Sequence, residues 1–401
     1  MLNLKNDLTQ NELSALRIIY EAGPISRVKI AEKLFLTRAA ISLIAKKLQD
    51  LDLILEVGKG ASGQRRGRRE VLLTVNPAAG FVITVHIALR FYKIGLVDIT
   101  GNVIDRETHS FEQGSLPNDI LPKLTEHLSQ IIDRNNLKKE KIFSISIAIP
   151  GVVNYERGFV REITLKGWQG YELADYIEEK FDIKVLIEND VKTYTLGEFQ
   201  FGTGRHANNM ICLWLGDGIG AGIIMDGHLL RGKSSSAGEI GFNEFVFDSS
   251  PNKSILIENN PKCWGDALSI NNIKETIKRG IRDEWHTNLK KDAQISDFVS
   301  AVEAGDPLGQ YIFRLMSQML GKISRNILYT FNPEILLLSG PLLYQLPRLA
   351  SEVRSHLTDC IFKSPIENIE IRTSMLGENG ILMGGVALML NYLFNNNNGG
   401  C

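Results

Sequence analysis

Cysteine is scarce in this 401-residue chain, and the little there is lies scattered. Cys212, Cys263, Cys360 and Cys401 form no CxxC pair and no regular framework, which argues against both a disulfide scaffold and a cysteine-built zinc cluster. Long apolar runs are missing too. None approaches the roughly 20 residues of a membrane span, and the first residues lack a basic stretch followed by an apolar one, so a cytoplasmic location is expected. Nor does the whole chain lean to either sign of charge, since its formal net charge is −1. What remains is a composition of 44% hydrophobic and 23% charged residues, that of a globular protein of two or three domains.

The near-neutral total conceals an asymmetry. Residues 1–70 hold 13 Lys/Arg against 8 Asp/Glu, so a small basic end precedes a mildly acidic body. That distribution suggests a nucleic-acid module joined to something else, although a charge run alone is usually a solvated face. Residues 9–22 open with Thr9-x-x-Glu12, a capping-box pattern, and continue with Leu13, Leu16, Ile19 and Tyr20 at helical spacing as far as Gly23-Pro24. Ser26 is placed to cap a second helix through Leu34, and Thr37 a third to Gln49 or Asp50, with Phe35-Leu36 between them. Three helices with so tight a second connection read as a helix-turn-helix.

In the third helix Ile41, Ile44, Ala45 and Leu48 form the buried stripe, which leaves Arg38, Ala39, Ser42 and Lys46 on the opposite face. Small residues beside an arginine let a helix approach base edges. Arg38 is the candidate for a guanine contact, and Lys46, Lys47 and Arg27 are candidates for phosphate. An ordinary three-helix domain with a solvated face is the plainer alternative. Against it stand two strands expected at 53–57 and 71–74, a wing whose loop carries Arg65, Arg66, Arg68 and Arg69 around Gly67. Arginines on such a loop suit a narrow minor groove.

After Asn76-Pro77 the pattern turns to strands at 80–87, 92–97 and 103–109, a helix at about 117–135, a buried strand at 143–149 ending on Pro150-Gly151, and a helix near 174–181. Then comes Val185-Leu186-Ile187-Glu188-Asn189-Asp190, an apolar run that stops on three polar residues just before a helical segment. Such an ending puts a carboxylate and an amide at the carboxyl edge of a strand, where open α/β sheets bind ligands. The bland reading is that Asp190 only caps the following helix. The second half repeats the plan, with strands at 210–215 and 220–225 around Gly216-Asp217-Gly218-Ile219-Gly220, helices near 267–281, 294–304 and 307–331, a strand at 335–339 and a last helix at 378–394. The tail 395–401 is expected to be disordered.

Gly23-Pro24-Ile25-Ser26-Arg27, Gly67-Arg68-Arg69, Ile149-Pro150-Gly151-Val152, Glu188-Asn189-Asp190, Gly216-x-Gly218-Ile219-Gly220-Ala221-Gly222 and Ala237-Gly238-Glu239-Ile240-Gly241 occur in this order. Through these motifs nearly the whole chain resembles the ROK family (repressors, open reading frames and kinases), and within it the repressor branch. The resemblance implies an α/β protein with a winged helix-turn-helix at 1–75 and an actin-like, duplicated ribonuclease-H-like sugar-kinase fold in two lobes at 76–394. In the family's kinases the Asn-Asp pair holds the sugar, the Asp acts as base and the Glu contacts the ring. Asn189, Asp190 and Glu239 stand at those positions.

The departures from the family pattern matter as much. His86-Ile87-Ala88-Leu89-Arg90 replaces the phosphate-binding Asp-x-Gly-x-Thr, Asp217 puts a carboxylate in the second phosphate loop, and Gly340-Pro341 stands where paired glycines are expected. ATP then has no seat, and no cofactor is expected. The family's zinc site keeps only Cys263 and has Phe242 for its His, so no metal is expected there, because structural zinc wants four ligands. Gly265 replaces a sugar-contacting Glu, leaving Asp266 as its substitute, and Thr164 stands for an Asn. The resemblance therefore implies a catalytically inactive sensor: a DNA-binding repressor of carbohydrate genes with operator DNA, a sugar effector and a second copy of itself as partners. A sugar kinase with an appended DNA module, or a repressor answering to a protein partner, are the rival expectations.

Overall fold

The computed structural model of the protein describes residues 7–59, 70–244, 261–357 and 362–394. The wing-loop residues Arg65, Arg66, Arg68 and Arg69 and the tail 395–401 lie outside them. The chain is organised as two compact units, one of Met1–Asn189 with Gly385–Cys401 and the other of Asp190–Gly384.

In the first unit three helices come first: α1 (Gln10–Ala22), α2 (Arg27–Leu34) and α3 (Arg38–Asp50). Each starts where a side chain takes up an orphan backbone N–H. Thr9 and Glu12 close a reciprocal capping box, Ser26 Oγ accepts from Lys29 N, and Thr37 Oγ1 accepts from Ala40 N at 3.2 Å. α2 ends on Phe35 in the left-handed conformation (φ 55°), and only Leu36 and Thr37 separate that residue from α3. The strands β1 (Ile25–Ser26), β2 (Ile54–Lys59) and β3 (Val71–Val75) form a small antiparallel sheet in the order β1-β3-β2. The wing strands are those expected. The two-residue β1 is not, because nothing local distinguishes it from the approach to a helix.

This winged helix is tied to the strands that follow it. Tyr20 donates its hydroxyl to Ile99 O at 2.7 Å, Asn76 Nδ2 reaches both Asp52 O and Asp52 Oδ1, and Lys141 Nζ bonds Asp52 Oδ2 and Ala78 O. Those strands are β4 (Phe81–Ile87), β5 (Phe91–Asp98) and β6 (Val103–Ser110). Helix α4 (Pro117–Arg134), β7 (Ile142–Ile149), the β8–β9 hairpin (Val152–Asn154, Phe159–Glu162), helix α5 (Leu173–Phe181) and β10 (Val185–Asn189) complete the unit's main run. The sheet order is β10-β7-β4-β5-β6, with β10, β7 and β4 parallel and β4, β5 and β6 antiparallel. Leu121, Leu124, Leu128 and Ile131 of α4 and Leu173 and Ile177 of α5 pack with Ile83, Ile145, Ile147 and Trp168 into one core.

The second unit opens with α6 (Asp190–Phe201) and repeats the sheet plan with β11 (Met210–Leu215), β12 (Ile219–Met225), β13 (His228–Leu229), β14 (Ile335–Ser339) and β15 (Glu370–Thr373). Its order, β13-β12-β11-β14-β15, is that of the first sheet strand for strand, which is the duplication expected. α6 lies against β12 at Gly222, where an added Cβ would stand 1.9 Å from Thr195 Oγ1. The helix expected at 267–281 is two, Trp264–Leu268 and Ile270–Arg282, because the backbone turns out of helix at Ser269, whose hydroxyl then caps the second. The helices Ile295–Glu303 and Pro307–Phe331 stand as expected.

Candidate functional site

Arg38, Ala39, Ser42 and Lys46 are all exposed on α3, whereas Ile41, Ala45 and Leu48 are buried beneath them. Ile44, expected in the stripe, is only half-buried. The exposed face is less polar than its sequence suggested. Leu43 is 72% exposed on it, and Phe35 is 95% exposed at the turn that precedes it. A lone exposed leucine needs no explanation, but these two flank the residues that would read bases. Ser42 Oγ donates to Arg38 O at 2.8 Å, so its hydroxyl meets a partner as acceptor only.

The three proposed phosphate contacts differ. Lys46 is exposed. Arg27 Nη2 is held by Glu56 Oε1 at 2.7 Å and by Gln49 Oε1 at 3.4 Å, and its buried Nε has no hydrogen-bond partner. Lys47 Nζ is held by Glu12 Oε2 at 2.8 Å and by Asp7 O. Burial pushes the Glu12 carboxyl up, but Lys47 and the Thr9 bonds outweigh it and hold the group below the usual range. Arg27 and Lys47 thus hold the domain together through partners 29 and 35 residues away. Local sequence gives no sign of such pairs.

The ligand candidates of the first unit are Asn189 and Thr164. Asn189 is buried at the end of β10 and donates Nδ2 to Gly151 O at 2.9 Å, while its own N–H is taken by Glu188 Oε1. Gly151 has to be glycine: its φ is +91°, and a Cβ there would lie 2.3 Å from Glu162 O. Thr164 is exposed in the segment after β9, between Ile163 and the buried Leu165. Nearby in sequence, the fully buried Trp168 has an indole Nε1 with no hydrogen-bond partner.

In the second unit Asp190 is the first residue of α6, and its Oδ1 accepts from Val191 N at 2.8 Å. The bond joins it to the next residue at the start of the helix and is not the usual cap bond to a backbone N–H two or three residues on. Such a bond occupies one lone pair of one carboxylate oxygen. Glu239 is half-buried at the entry to a single turn, Ile240–Phe242. The glycines on either side explain its placement. Gly238 (φ +90°) approaches Ala221 O and Gly241 approaches Ile219 O so closely that a Cβ would fall at 1.9 and 2.2 Å, so the segment lies directly on β12. Asp266 is exposed and its Oδ2 accepts from Lys262 N, a bond within its own turn.

Two features of α6 escaped the sequence. Lys192 is 1% exposed and donates to Ser235 O. Glu198 is fully buried, and its carboxylate accepts from Tyr194 Oη, Thr203 N, Ser374 Oγ and Leu376 N. Burial, with Glu198 close by, pushes the Tyr194 hydroxyl and the Cys212 thiol far up, which keeps both neutral. A buried carboxylate with four donors fixes the helix that Asp190 begins.

The three stretches that depart from the family's nucleotide motifs have these surroundings. His86 lies edge-on to Phe91, Ala88 N bonds Phe91 O across the turn, and Arg90 pairs with Gln113. Asp217 is exposed in its loop, and Gly340 (φ +119°) is needed because a Cβ there would lie 2.2 Å from Leu215 O. Phe242 is 74% exposed and Cys263 is a free thiol.

The family is settled by a match of the ROK family profile to residues 92–392. The chain belongs to the ROK family. The MarR family profile matches residues 8–55, the span of α1 to α3. The xylose repressor of Bacillus spizizenii is 27% identical over 384 residues, 95% of each chain. Among solved structures, a ROK family transcriptional regulator, a homologue of the Escherichia coli MLC protein, has a TM-score of 0.81 at 23% identity and covers 96% of both chains. A ROK family glucokinase from Streptomyces griseus, in complex with glucose and AMPPNP, has a TM-score of 0.64 at 21% identity and covers 77% of this chain and 99% of its own. The fold is accordingly a winged helix followed by the ROK sugar-kinase fold.

Proposed function

We propose that this ROK protein is a DNA-binding transcriptional repressor of carbohydrate-utilisation genes, and that its kinase-like body senses a sugar without phosphorylating it. The observation that carries the reading is the exposed α3 face of Arg38, Ala39, Ser42 and Lys46 on a winged helix joined to a ROK body. On this reading residues 1–75 are the DNA-binding domain and 76–394 the sensor. Arg38 reads a guanine, and Lys46 with the arginines of 65–69 contacts the backbone and minor groove. Arg27 and Lys47 reach phosphate only by sharing the carboxylates that now hold them. Asn189, Asp190, Glu239, Thr164 and Asp266 are the proposed sugar contacts, since carboxylates and amides are what sugar hydroxyls need as partners. A homodimer and a cytoplasmic location complete the proposal, because operators are mostly two-fold symmetric. Sugar and DNA are coupled by differential affinity: the sugar binds better to the form that holds DNA poorly. The test is to select operator sequences from random DNA with the full-length protein and then add single sugars. Release by one class of sugar is the expected result, and DNA binding indifferent to every pentose and hexose would refute the sensor.

The body is proposed to be inactive as a kinase. The reasons are His86 to Arg90 in place of an acidic, glycine-bearing turn, and the exposed carboxylate of Asp217 where phosphate would come. With Mg-ATP and any common pentose or hexose no sugar phosphate forms, as read by a coupled ADP assay. Steady turnover would favour the rival kinase.

Leu43 adds a residue to the reader. An apolar side chain on the exposed face suits a thymine methyl, so Leu43→Ala is expected to weaken the selected site by on the order of 1 kcal/mol, the low end of one mismatched base pair. Non-specific DNA affinity should stay unchanged. Equal losses on both DNAs in a binding titration would show that Leu43 serves the fold instead.

A further inference from the structure

On the first unit, away from every residue assigned above, β6 and α4 bring two histidines and a glutamate together. β6 is the edge strand of its sheet, and Val103, Asp105, Glu107 and His109 alternate toward one half-buried face. α4 covers that face and supplies His127 and Arg134. One ligand atom each from Glu107, His109 and His127 lies within 4.8 Å of the other two, and among the described residues no other such group of three is found.

The polar atoms of this cluster are oddly served. Glu107 Oε1 and His109 Nε2 are buried and have no hydrogen-bond partner, although they lie 3.1 Å apart. Their closeness is that of an ion pair, but they are off the line of a hydrogen bond. The two atoms thus serve only each other, and poorly, where buried polar groups are ordinarily well hydrogen-bonded. The other atoms are held in place. Arg134 donates Nη1–H to Glu107 Oε2 and Nε–H to Asp105 Oδ2, which fixes the Glu107 carboxylate with Oε1 toward His109. Tyr92 Oη lies 2.7 Å from His127 Nδ1. A metal-bound histidine donates its second ring N–H to an oxygen, and a metal-bound carboxylate is itself hydrogen-bonded. Tyr92 and Arg134 stand in those supporting places.

We propose that Glu107, His109 and His127 form a binding site for a divalent transition-metal ion of borderline softness, with zinc as the type. Two imidazoles and one carboxylate are a donor set zinc takes, with water in a fourth position. Neutral imidazole nitrogens and Glu107 Oε1 supply the lone pairs, and Tyr92 accepts the Nδ1–H of His127. The His109 and His127 rings are stacked, 3.6 Å between centroids and 8° from parallel. Parallel rings aim their nitrogens side by side rather than at one point, so the ion turns one ring out of the stack. Its effect is to fasten α4 to the sheet edge. The side chains of His109 and Glu107 are 30% and 16% exposed, so the buried ligand atoms lie just beneath the surface. The family position around Phe242 and Cys263 is a different place in the chain, and this cluster has no local signature because its donors come from two elements.

The test uses tag-free, full-length protein stripped with EDTA and titrated with Zn2+ against a chromophoric chelator, with Co2+ absorption as a second probe. One ion per chain is expected, with a rise in Tm on binding. Tyr92→Phe should weaken zinc about 10-fold to 100-fold, His127→Gln and His109→Gln should each weaken it more, and Cys263→Ser should leave it unchanged. A far-ultraviolet spectrum and an unchanged metal-free Tm establish that each variant is folded, and where a glutamine variant is not, His109→Asn or Tyr92→Phe carries the comparison. Absence of binding by the parent, zinc bound equally by the histidine variants, or zinc lost with Cys263→Ser would each overturn the site. None of these outcomes depends on whether the protein binds DNA or sugar.

Discussion

Arg38→Ala is expected to abolish discrimination at one base pair of the operator. The loss should be about 1–3 kcal/mol on the selected site and close to nothing on random DNA. Arg38 is exposed at the start of α3, and its carbonyl accepts from Ser42, so the backbone that carries the guanidinium is braced while the guanidinium itself faces outward. Replacing Arg65, Arg66, Arg68 and Arg69 together with alanine should behave differently. Affinity falls for every sequence, and the slope of log affinity against log salt becomes shallower by roughly one unit per arginine that touches phosphate. Fluorescence anisotropy across a salt series separates the two effects. A specific site bound by Arg38→Ala as tightly as by the parent would remove α3 from the role of reader.

The second large effect belongs to Asp190. Asp190→Asn replaces a charged acceptor by a neutral one, and the expected cost in sugar affinity is roughly 1.5–3 kcal/mol, the value of a hydrogen bond to a charged group. The substitution is mild for the fold. Asn Oδ1 can still accept from Val191 N, as Asp190 Oδ1 does now, and Glu198 and Lys192 hold α6 from further along. Operator affinity without sugar should therefore be unchanged, and the variant becomes a repressor that sugar no longer releases. Calorimetric titration with the releasing sugar, paired with DNA binding, reads both. If the variant is folded and binds sugar like the parent, Asp190 is a helix-starting residue and the sensor proposal loses its central contact.

Much of the architecture was legible because its determinants are local. Thr9 with Glu12, Ser26 and Thr37 announce the three helix starts a few residues from the groups they cap, and all three operate in the structure. The apolar run Ile142–Ile149 and the duplicated strand plan were equally plain. What stayed hidden depends on partners distant in the chain. Arg27 and Lys47 look like free cations until Glu56 and Glu12 arrive beside them. Lys192 and Glu198 sit in a helix that reads as ordinary, yet one is buried against Ser235 and the other gathers donors from residues 203, 374 and 376. β15 is polar and only four residues long, and parallel pairing with β14 makes it a strand. Leu43 was missed for the opposite reason: an apolar residue outside the buried stripe has no place in a two-faced reading of a helix.

The bonds of Tyr20, Asn76 and Lys141 have a consequence for how the protein melts. A reader domain on a slack tether would unfold by itself, and heating would show its transition apart from that of the body. Here the Tyr20 hydroxyl on Ile99 and the Lys141 ammonium on Asp52 and Ala78 couple the small domain to the first sheet. The helices of the reader and strands β4 to β7 should then share one cooperative transition and one level of amide-exchange protection. Grafting residues 1–75 onto an unrelated ROK body would forfeit that shared stability unless those partners were carried along.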